Sequence, residues 1–528
     1  MQPGLTLWIL ASSVLLVLSF PRPDLGMCSL FALVPLFTAL SRLDKWKALL
    51  AGWGAGTLWF FVSYNWVSHS LIDFGGIPFL PAQGAILLLA GIHGVYVALF
   101  SWLIPVVAAA DGNGGVGVSE YRGVWGRHDP ATRLFMHSLA PVLVLPSAWV
   151  VLETARSWFP LPFPWLMLGT SMWKIPYFRP LYEIAGVHGV SFWIVAVNVL
   201  IWIAARTGKG GRIRTGSLLV LVLLLPVILY PLTGTGTGQK IRVAIVQGNY
   251  QQELKWKRDL LEETIDTYLS LTEEAVKKGA QLVVWPETAV PTYYQAEPEV
   301  ALRLRRFASM RGIHLVFGSP GFFVEEQELL LYNRVYHLAP GGNEEFYDKT
   351  MLVPFGEYVP LADIMPFIDK LVPGEGEFAR GVWKGPFKSP LPSGALVCYE
   401  ISFPSLARRE VRDGCRLLIN VTNDAWFGPS WGPYQHLAIS AVRALENSVP
   451  VLRAANTGVS AVIDRGGRVL KNIPLNKRGV VIADIEGGAG MTLYTRLGDW
   501  IFILSLAVIS VYCMLLCKNS WRLKRWIR

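Results

Sequence analysis

The chain has 528 residues, 52% of them hydrophobic and only 16% charged, with a formal charge of +10. Soluble chains carry about 25% charged residues, so much of this one belongs in lipid, and its length exceeds one ordinary domain. Its five cysteines, Cys28, Cys398, Cys415, Cys513 and Cys517, form no CxxC pair, and no His spacing completes a zinc site; no metal and no cofactor are expected.

A membrane-spanning helix needs about 20 mostly apolar residues. Uncharged runs recur at 5–20, 25–41, 48–72, 74–110, 134–152, 185–205 and 215–239, and once more at 500–517. They predict seven helices within 1–239, a soluble domain over 240–487, a last helix over 498–518 and a basic tail over 519–528. The third and fourth runs hold loop as well as helix. The first lacks the charged leader and small-residue cleavage site of a signal peptide, so it is read as a helix.

Orientation follows from Lys and Arg in the short loops. With the N-terminus inside, fifteen of them fall on the inner side, against Arg22, Arg156, Lys174 and Arg179 outside. This predicts about eight spans, both termini cytoplasmic and 240–487 extracytoplasmic. It also absorbs most of the excess positive charge without a nucleic-acid partner. The Gly-rich stretch 111–133 is expected as a cytoplasmic insert. The stretch 157–177, crowded with Trp, Phe and Pro, either lies at the outer interface or packs on the helices. His69, His93 and His188 break the apolar pattern and suit near-interface or packing roles.

Within 240–487 strands and helices alternate. Strands are predicted at 241–247, 281–285, 313–319, 395–400, 416–423 and 449–456, helices at 259–278, 298–311, 402–413 and 434–447, and a hairpin over 459–470. Such alternation argues a sheet covered by helices. Three polar residues follow apolar strands, where open α/β folds place their sites: Glu287 in WPET, Lys349 in YDKT after a hairpin, and Cys398 within ALVCYE. Their chemistry is coherent. A thiol is a strong nucleophile as thiolate, a buried carboxylate with a raised pKa takes its proton, and an ammonium holds an oxyanion. His436 is an alternative base for Cys398, although no papain-like signature surrounds the cysteine. Cys415 opens a strand and suits packing.

The runs WPETAVP (285–291), DKTMLVPFGEYVP (348–360), VCYEISFP (397–404), NDAWFG (423–428) and RAANTG (453–458) resemble the nitrilase, or carbon–nitrogen hydrolase, superfamily. With the predicted spans, the chain resembles the apolipoprotein N-acyltransferase family of bacterial membrane enzymes. That resemblance implies an αββα sandwich beside a membrane helical bundle, and a site of Glu287, Lys349 and Cys398 supported by Glu357, Tyr399 and Glu400. It implies a pocket lined by Asn423, Trp426 and Phe427. It further implies a ping-pong transfer of an acyl chain from a phospholipid, expected to be phosphatidylethanolamine, through a Cys398 thioester. The acceptor would be the N-terminal diacylglyceryl-cysteine of an apolipoprotein, at the cytoplasmic membrane of a bacterium, with the catalytic domain outside and the enzyme monomeric.

Two other readings stay open: a membrane-tethered amidase acting on a small amide, and a transporter or receptor with a nitrilase-like sensing domain. The seven preceding helices favour a lipid substrate, because a tether needs only one. Finally, Leu361, Ile364, Met365 and Ile368 recur at helical spacing in a Pro- and Gly-rich insert. They form either a lid over the site or a stripe packed on the sandwich.

Overall fold

The computed structural model describes residues 3–110, 140–158, 162–234, 236, 238–325, 328–359 and 377–526, side chains excepted at 109–110, 253–254 and 518–526. The expected insert 111–133 and the lid residues Leu361, Ile364, Met365 and Ile368 lie outside the described residues. The chain forms two compact units. One comprises Met1–Asn65, Leu80–Thr233 and Asp499–Arg528, the other Trp66–Phe79 with Gly234–Gly498.

The first unit is helical. Among the described residues, four helices are long and apolar enough to cross a membrane: Phe79–Ala108, Pro176–Arg206, Lys209–Leu232 and Trp500–Cys517. Pro3–Leu18 and Gly26–Leu40 are shorter apolar helical stretches. The run 48–72 lies largely on the helix Lys45–Ser63, which starts at Asp44, whose carboxylate accepts from Trp46 N and Lys47 N. Its last residues leave that helix. Within the described part of 157–177, Trp165, Met167, Leu168 and Met172 are buried while Trp158 and Tyr177 are exposed. Leu168 N donates to Glu153 Oε1 at 2.7 Å. His188 and Glu153 are buried partners at 3.2 Å, and His93 meets Tyr64 Oη at 3.0 Å. Both histidines therefore pack in the interior, each with one ring nitrogen paired to a side chain.

The second unit contains two sheets, where strand periodicity by itself argued one. The six-stranded sheet runs in the order β11-β1-β2-β3-β4-β5 and the five-stranded sheet β10-β9-β8-β7-β6. The strands are β1 Lys240–Gln247, β2 Leu282–Val284, β3 His314–Glu325, β4 Glu328–Leu338, β5 Glu344–Asp348, β6 Ser393–Val397, β7 Leu417–Thr422, β8 Val451–Ala455, β9 Ser460–Ile463, β10 Val469–Ile473 and β11 Gly479–Glu486. Alternation along β1 decides the layering. Ile241, Val243 and Ile245 join Val397, Ile419, Val421 and Leu452 in a core between the sheets. Ala244 and Val246 face the other way, onto Ile265, Tyr268 and Leu269 of α1 (Leu261–Lys277) and Val300 and Leu304 of α2 (Pro298–Arg311). Helices α3 (Pro404–Arg412) and α4 (Gly432–Asn447) contact β6 and β8 of the second sheet. The result is an αββα sandwich.

Strands β1, β2 and β3 are mutually parallel, as are β6, β7 and β8. β5 regains the direction of β3 through two antiparallel steps. The C-terminal ends of β2 and β5 therefore share one edge of their sheet.

The segment 66–79 was expected in the helical region but belongs to the second unit. Trp66 meets Phe427 with ring centroids 4.5 Å apart and Phe74 meets Trp426 at 4.6 Å. Ser70 Oγ donates to Trp426 O at 2.6 Å. Apolar content alone could not separate a span from a segment that buries aromatic rings against protein.

Candidate active site

β2 ends at Val284, and Pro286 turns the chain so that Glu287 follows at the strand tip. Glu287 is 8% exposed, and Thr288 after it takes φ +50°. A Cβ on Gly318 of β3 would lie 2.5 Å from Thr288 N and 2.7 Å from Glu287 Cα, so that close approach requires glycine. Lys349 directly follows β5. Its direction is set one residue earlier, where Arg334 of β4 grips Asp348 through parallel bonds of 2.5 and 2.9 Å in a buried pair.

Cys398 was expected inside a strand, but β6 stops at Val397 and Cys398 opens the tight turn Cys398–Ser402 at φ +49°. A left-handed non-glycine residue costs about 1–3 kcal/mol and persists only where its surroundings hold it. Glu400 does part of that work. One of its oxygens accepts from Val397 N at 2.8 Å. The other accepts from Tyr347 Oη, Thr350 N and Thr350 Oγ1 at 2.8 Å and from Met351 N at 3.0 Å. The same carboxylate thus ties the Cys398 turn to the chain just after Lys349.

Glu287, Lys349 and Cys398 lie within electrostatic reach of one another. Lys349 Nζ is 1% exposed and sits on both oxygens of Glu357, at 2.9 and 2.8 Å. Asn333 Nδ2 bridges Glu287 Oε1 at 2.7 Å and Glu357 Oε1 at 2.9 Å. Glu287 Oε2 is buried and has no hydrogen-bond partner among the described residues. Burial raises the Glu287 pKa, against the pull of Lys349. Burial disfavours the Lys349 ammonium, but Glu357 and Glu287 outweigh it and raise its pKa. Burial, then the Glu287 carboxylate, push the Cys398 thiol up to about 12. At neutral pH the site therefore holds a thiol and an ammonium, beside a Glu287 oxygen that no hydrogen bond occupies among the described residues.

Of the expected supporting residues, Glu357 and Glu400 have the contacts just given, and Tyr399 packs edge-on against Phe403 at 5.0 Å. Asn423 Nδ2 donates to Gln252 Oε1 at 2.6 Å, tying the β7 end to the one-turn helix Gln252–Lys255. Trp426 and Phe427 pack on the 66–79 segment, and Phe427 also meets His436 with ring centroids 5.8 Å apart. His436 does not address the thiol as an alternative base would: its Nε2 lies 3.1 Å from the Cys398 carbonyl oxygen. Cys415 is a packing thiol, donating to Leu417 O at 2.8 Å.

Two residues escaped the sequence reading. Asn333 sits in LYNRVYHL, and its only signal is an amide within a strand that also carries Arg334 and His337. Lys255, in ELKW, reads as a surface lysine, yet it is 4% exposed and its Nζ donates to Glu287 O at 2.9 Å. Burial lowers its pKa to about 7, opposed by Glu287.

Comparison with known proteins gives a consistent result at both ends of the chain. The carbon-nitrogen hydrolase family model matches residues 242–490, and that of the apolipoprotein N-acyltransferase N-terminal domain matches 12–200. An apolipoprotein N-acyltransferase of Geobacter metallireducens is 35% identical over 94% of this chain and 93% of its own. One from Methylococcus capsulatus is 32% identical over 93% and 92%. One from Shewanella oneidensis is 32% identical over 83% and 82%. Likeness on that scale spans the apolar helices as well as the sandwich that carries Cys398, and the chain belongs to the apolipoprotein N-acyltransferase family.

Proposed function

We propose that this enzyme N-acylates the N-terminal diacylglyceryl-cysteine of apolipoproteins with an acyl chain from a phospholipid, and that Cys398 carries the chain between the two as a thioester. The observation that carries the mechanism is the buried, unpartnered Glu287 Oε2 beside a thiol whose pKa is pushed up to about 12. Such a thiol is not ionised at rest, so its proton must leave as the sulfur attacks.

In the first half, Cys398 Sγ attacks the ester carbonyl and its proton passes to Glu287 Oε2. The oxyanion meets Lys349 Nζ and a backbone N–H after Cys398. Collapse expels the lysophospholipid oxygen, which recovers the proton from Glu287. In the second half, the α-amino group attacks the thioester, Glu287 takes its proton, and the thiol leaves protonated. Glu357 and Asn333 position Lys349 and Glu287. The phospholipid is phosphatidylethanolamine in this proposal, and the enzyme works as a monomer. A membrane enzyme suits both substrates, since withdrawing an acyl chain from apolar surroundings costs about 0.8 kcal/mol per CH₂.

The test is to expose purified enzyme to phosphatidylethanolamine, digest it, and weigh the Cys398 peptide. An acyl adduct that disappears on adding a diacylglyceryl-cysteine peptide, with the chain recovered on its amine, is the expected result. An enzyme that makes no adduct yet hydrolyses small amides would favour the amidase reading.

The proposal extends to topology: about eight spans in the bacterial cytoplasmic membrane, both termini inside and the catalytic domain outside. A cysteine-free variant given one cysteine by Ser389→Cys should react in whole cells with a membrane-impermeant thiol reagent. The variant Ser520→Cys should not. The opposite pattern would invert the topology and remove access to exported lipoproteins.

A further inference from the structure

Behind the Cys398 turn lies a set of buried polar side chains that the mechanism leaves unused. His436, Asn420 and Arg453 are fully buried and Asp424 is 1% exposed. His436 Nε2 lies 3.1 Å from Cys398 O, and Asn420 Nδ2 lies 3.4 Å from the same oxygen and 3.0 Å from Leu396 O. Both donors are served by one guanidinium. Arg453 donates through one nitrogen to Asn420 Oδ1 at 2.7 Å. Its other nitrogen lies 3.1 Å from His436 Nδ1 and 2.5 Å from Asp424 Oδ2. Thr422 Oγ1 completes the set on Asp424 Oδ1 at 2.9 Å. We propose that Arg453, neutralised by Asp424 and acting through His436 and Asn420, is a carbonyl clamp that positions the Cys398 nucleophile.

The proton placement follows from the partners. A carbonyl only accepts, so His436 carries a hydrogen on Nε2, while Nδ1 lies between Arg453 at 3.1 Å and Asp424 Oδ1 at 3.2 Å. Burial, then Arg453, hold His436 below its usual pKa, against the Asp424 carboxylate and the Cys398 carbonyl. Burial alone would raise Asp424, but Arg453 and His436 outweigh it and hold the acid at about 2. Asp424 therefore stays ionised across the working range.

A clamp on this carbonyl has a consequence on the opposite side of the peptide. The C=O and N–H of a trans peptide point in opposite directions within one plane. Holding Cys398 O against His436 therefore sets the direction of Tyr399 N–H, the backbone donor invoked for the oxyanion; in this the inference rests on the proposed function. It also explains what holds Cys398 at φ +49° from behind, while Glu400 holds the turn from the side.

The test uses the full-length enzyme in detergent and p-nitrophenyl butyrate, an activated ester that reports acylation of Cys398 without a lipid. His436→Leu keeps the volume and removes the donor. Its nitrophenolate burst should be about 100-fold slower, the scale of a small misplacement at a reacting centre, with half-saturation unchanged. His436→Gln, whose side-chain amide can donate to the same oxygen, should regain most of the rate. Alkylation of Cys398 by iodoacetamide should follow the parental pH profile in both, because Glu287 and Lys349 are untouched. A parental burst rate in His436→Leu overturns the clamp, and so does a His436→Gln variant as slow as His436→Leu. If His436→Leu fails to fold, Arg453→Lys replaces it, since a point donor cannot serve Asn420 and His436 together. A drop of at least about tenfold is then expected, and the parental rate refutes the clamp. An enzyme acylated by the nitrophenyl ester but not by phosphatidylethanolamine would defeat the lipid reading and leave the clamp standing.

Discussion

Cys398→Ala is expected to abolish acyl-enzyme formation, lowering turnover by at least about 10⁴-fold, while leaving the fold in place. The structural cost is small because the thiol is uncharged at neutral pH and no buried ion pair is broken. Only one sulfur leaves the core, and alanine meets the same left-handed backbone that cysteine already tolerates. The described residues offer no substitute nucleophile at the site. Cys415 is fully buried just before β7 and already donates to Leu417 O. Labelled acyl chain still attached to the denatured alanine variant would show that the thioester forms elsewhere or not at all.

The second large effect concerns the base. Glu287→Gln should lose both half-reactions, each by about 10²–10⁴-fold, because the same oxygen accepts the thiol proton and later the amine proton. In the parent, the rate should rise with pH through the raised Glu287 pKa, since only the ionised form accepts, and this limb should vanish in the glutamine variant. Stability runs the other way. A carboxylate whose pKa is raised by folding binds its proton more tightly in the native state. It therefore costs stability once pH exceeds the unfolded value. Glu287→Gln should accordingly unfold no earlier than the parent at neutral pH, which separates a lost base from a lost fold. Lys349→Arg should also fail: Nζ is seated on both Glu357 oxygens in a buried site, and a planar fork does not fit a point ammonium. Normal single-turnover thioester formation in Glu287→Gln would place the base elsewhere. His436 is a poor candidate, because its Nε2 already faces the Cys398 carbonyl.

How far the sequence reaches is clearest at the three strand tips. Glu287 and Lys349 were legible because an apolar strand followed by a polar residue and a chain break marks a C-terminal strand edge. Cys398 was legible as a residue but not as a conformation. Nothing in ALVCYE separates a strand residue from one at φ +49°, because that backbone is imposed by partners distant in sequence. Glu400 reaches Thr350 and Met351, and His436 reaches Cys398 O. The 66–79 segment was misplaced for a related reason. Apolarity measures the preference to leave water and does not distinguish lipid from a protein surface such as Trp426 and Phe427.

By itself, the sequence determined the membrane character, the α/β class of the second unit, most of its element boundaries and the three residues of the proposed site. Those properties follow from periodicity and composition, which are local quantities. The family resemblance carried the two-sheet sandwich and strand periodicity did not, since inward and outward faces of β1 look equally apolar in the chain; the tertiary structure decided which face meets which layer. It alone decided the environment of each polar group: the bridging amide of Asn333, the burial of Lys255, the unpartnered oxygen of Glu287 and the Arg453 network behind Cys398. Charge, burial and hydrogen-bond partners belong to a place in space, and residues such as Cys398 and His436, 38 positions apart, share that place only after the chain has folded.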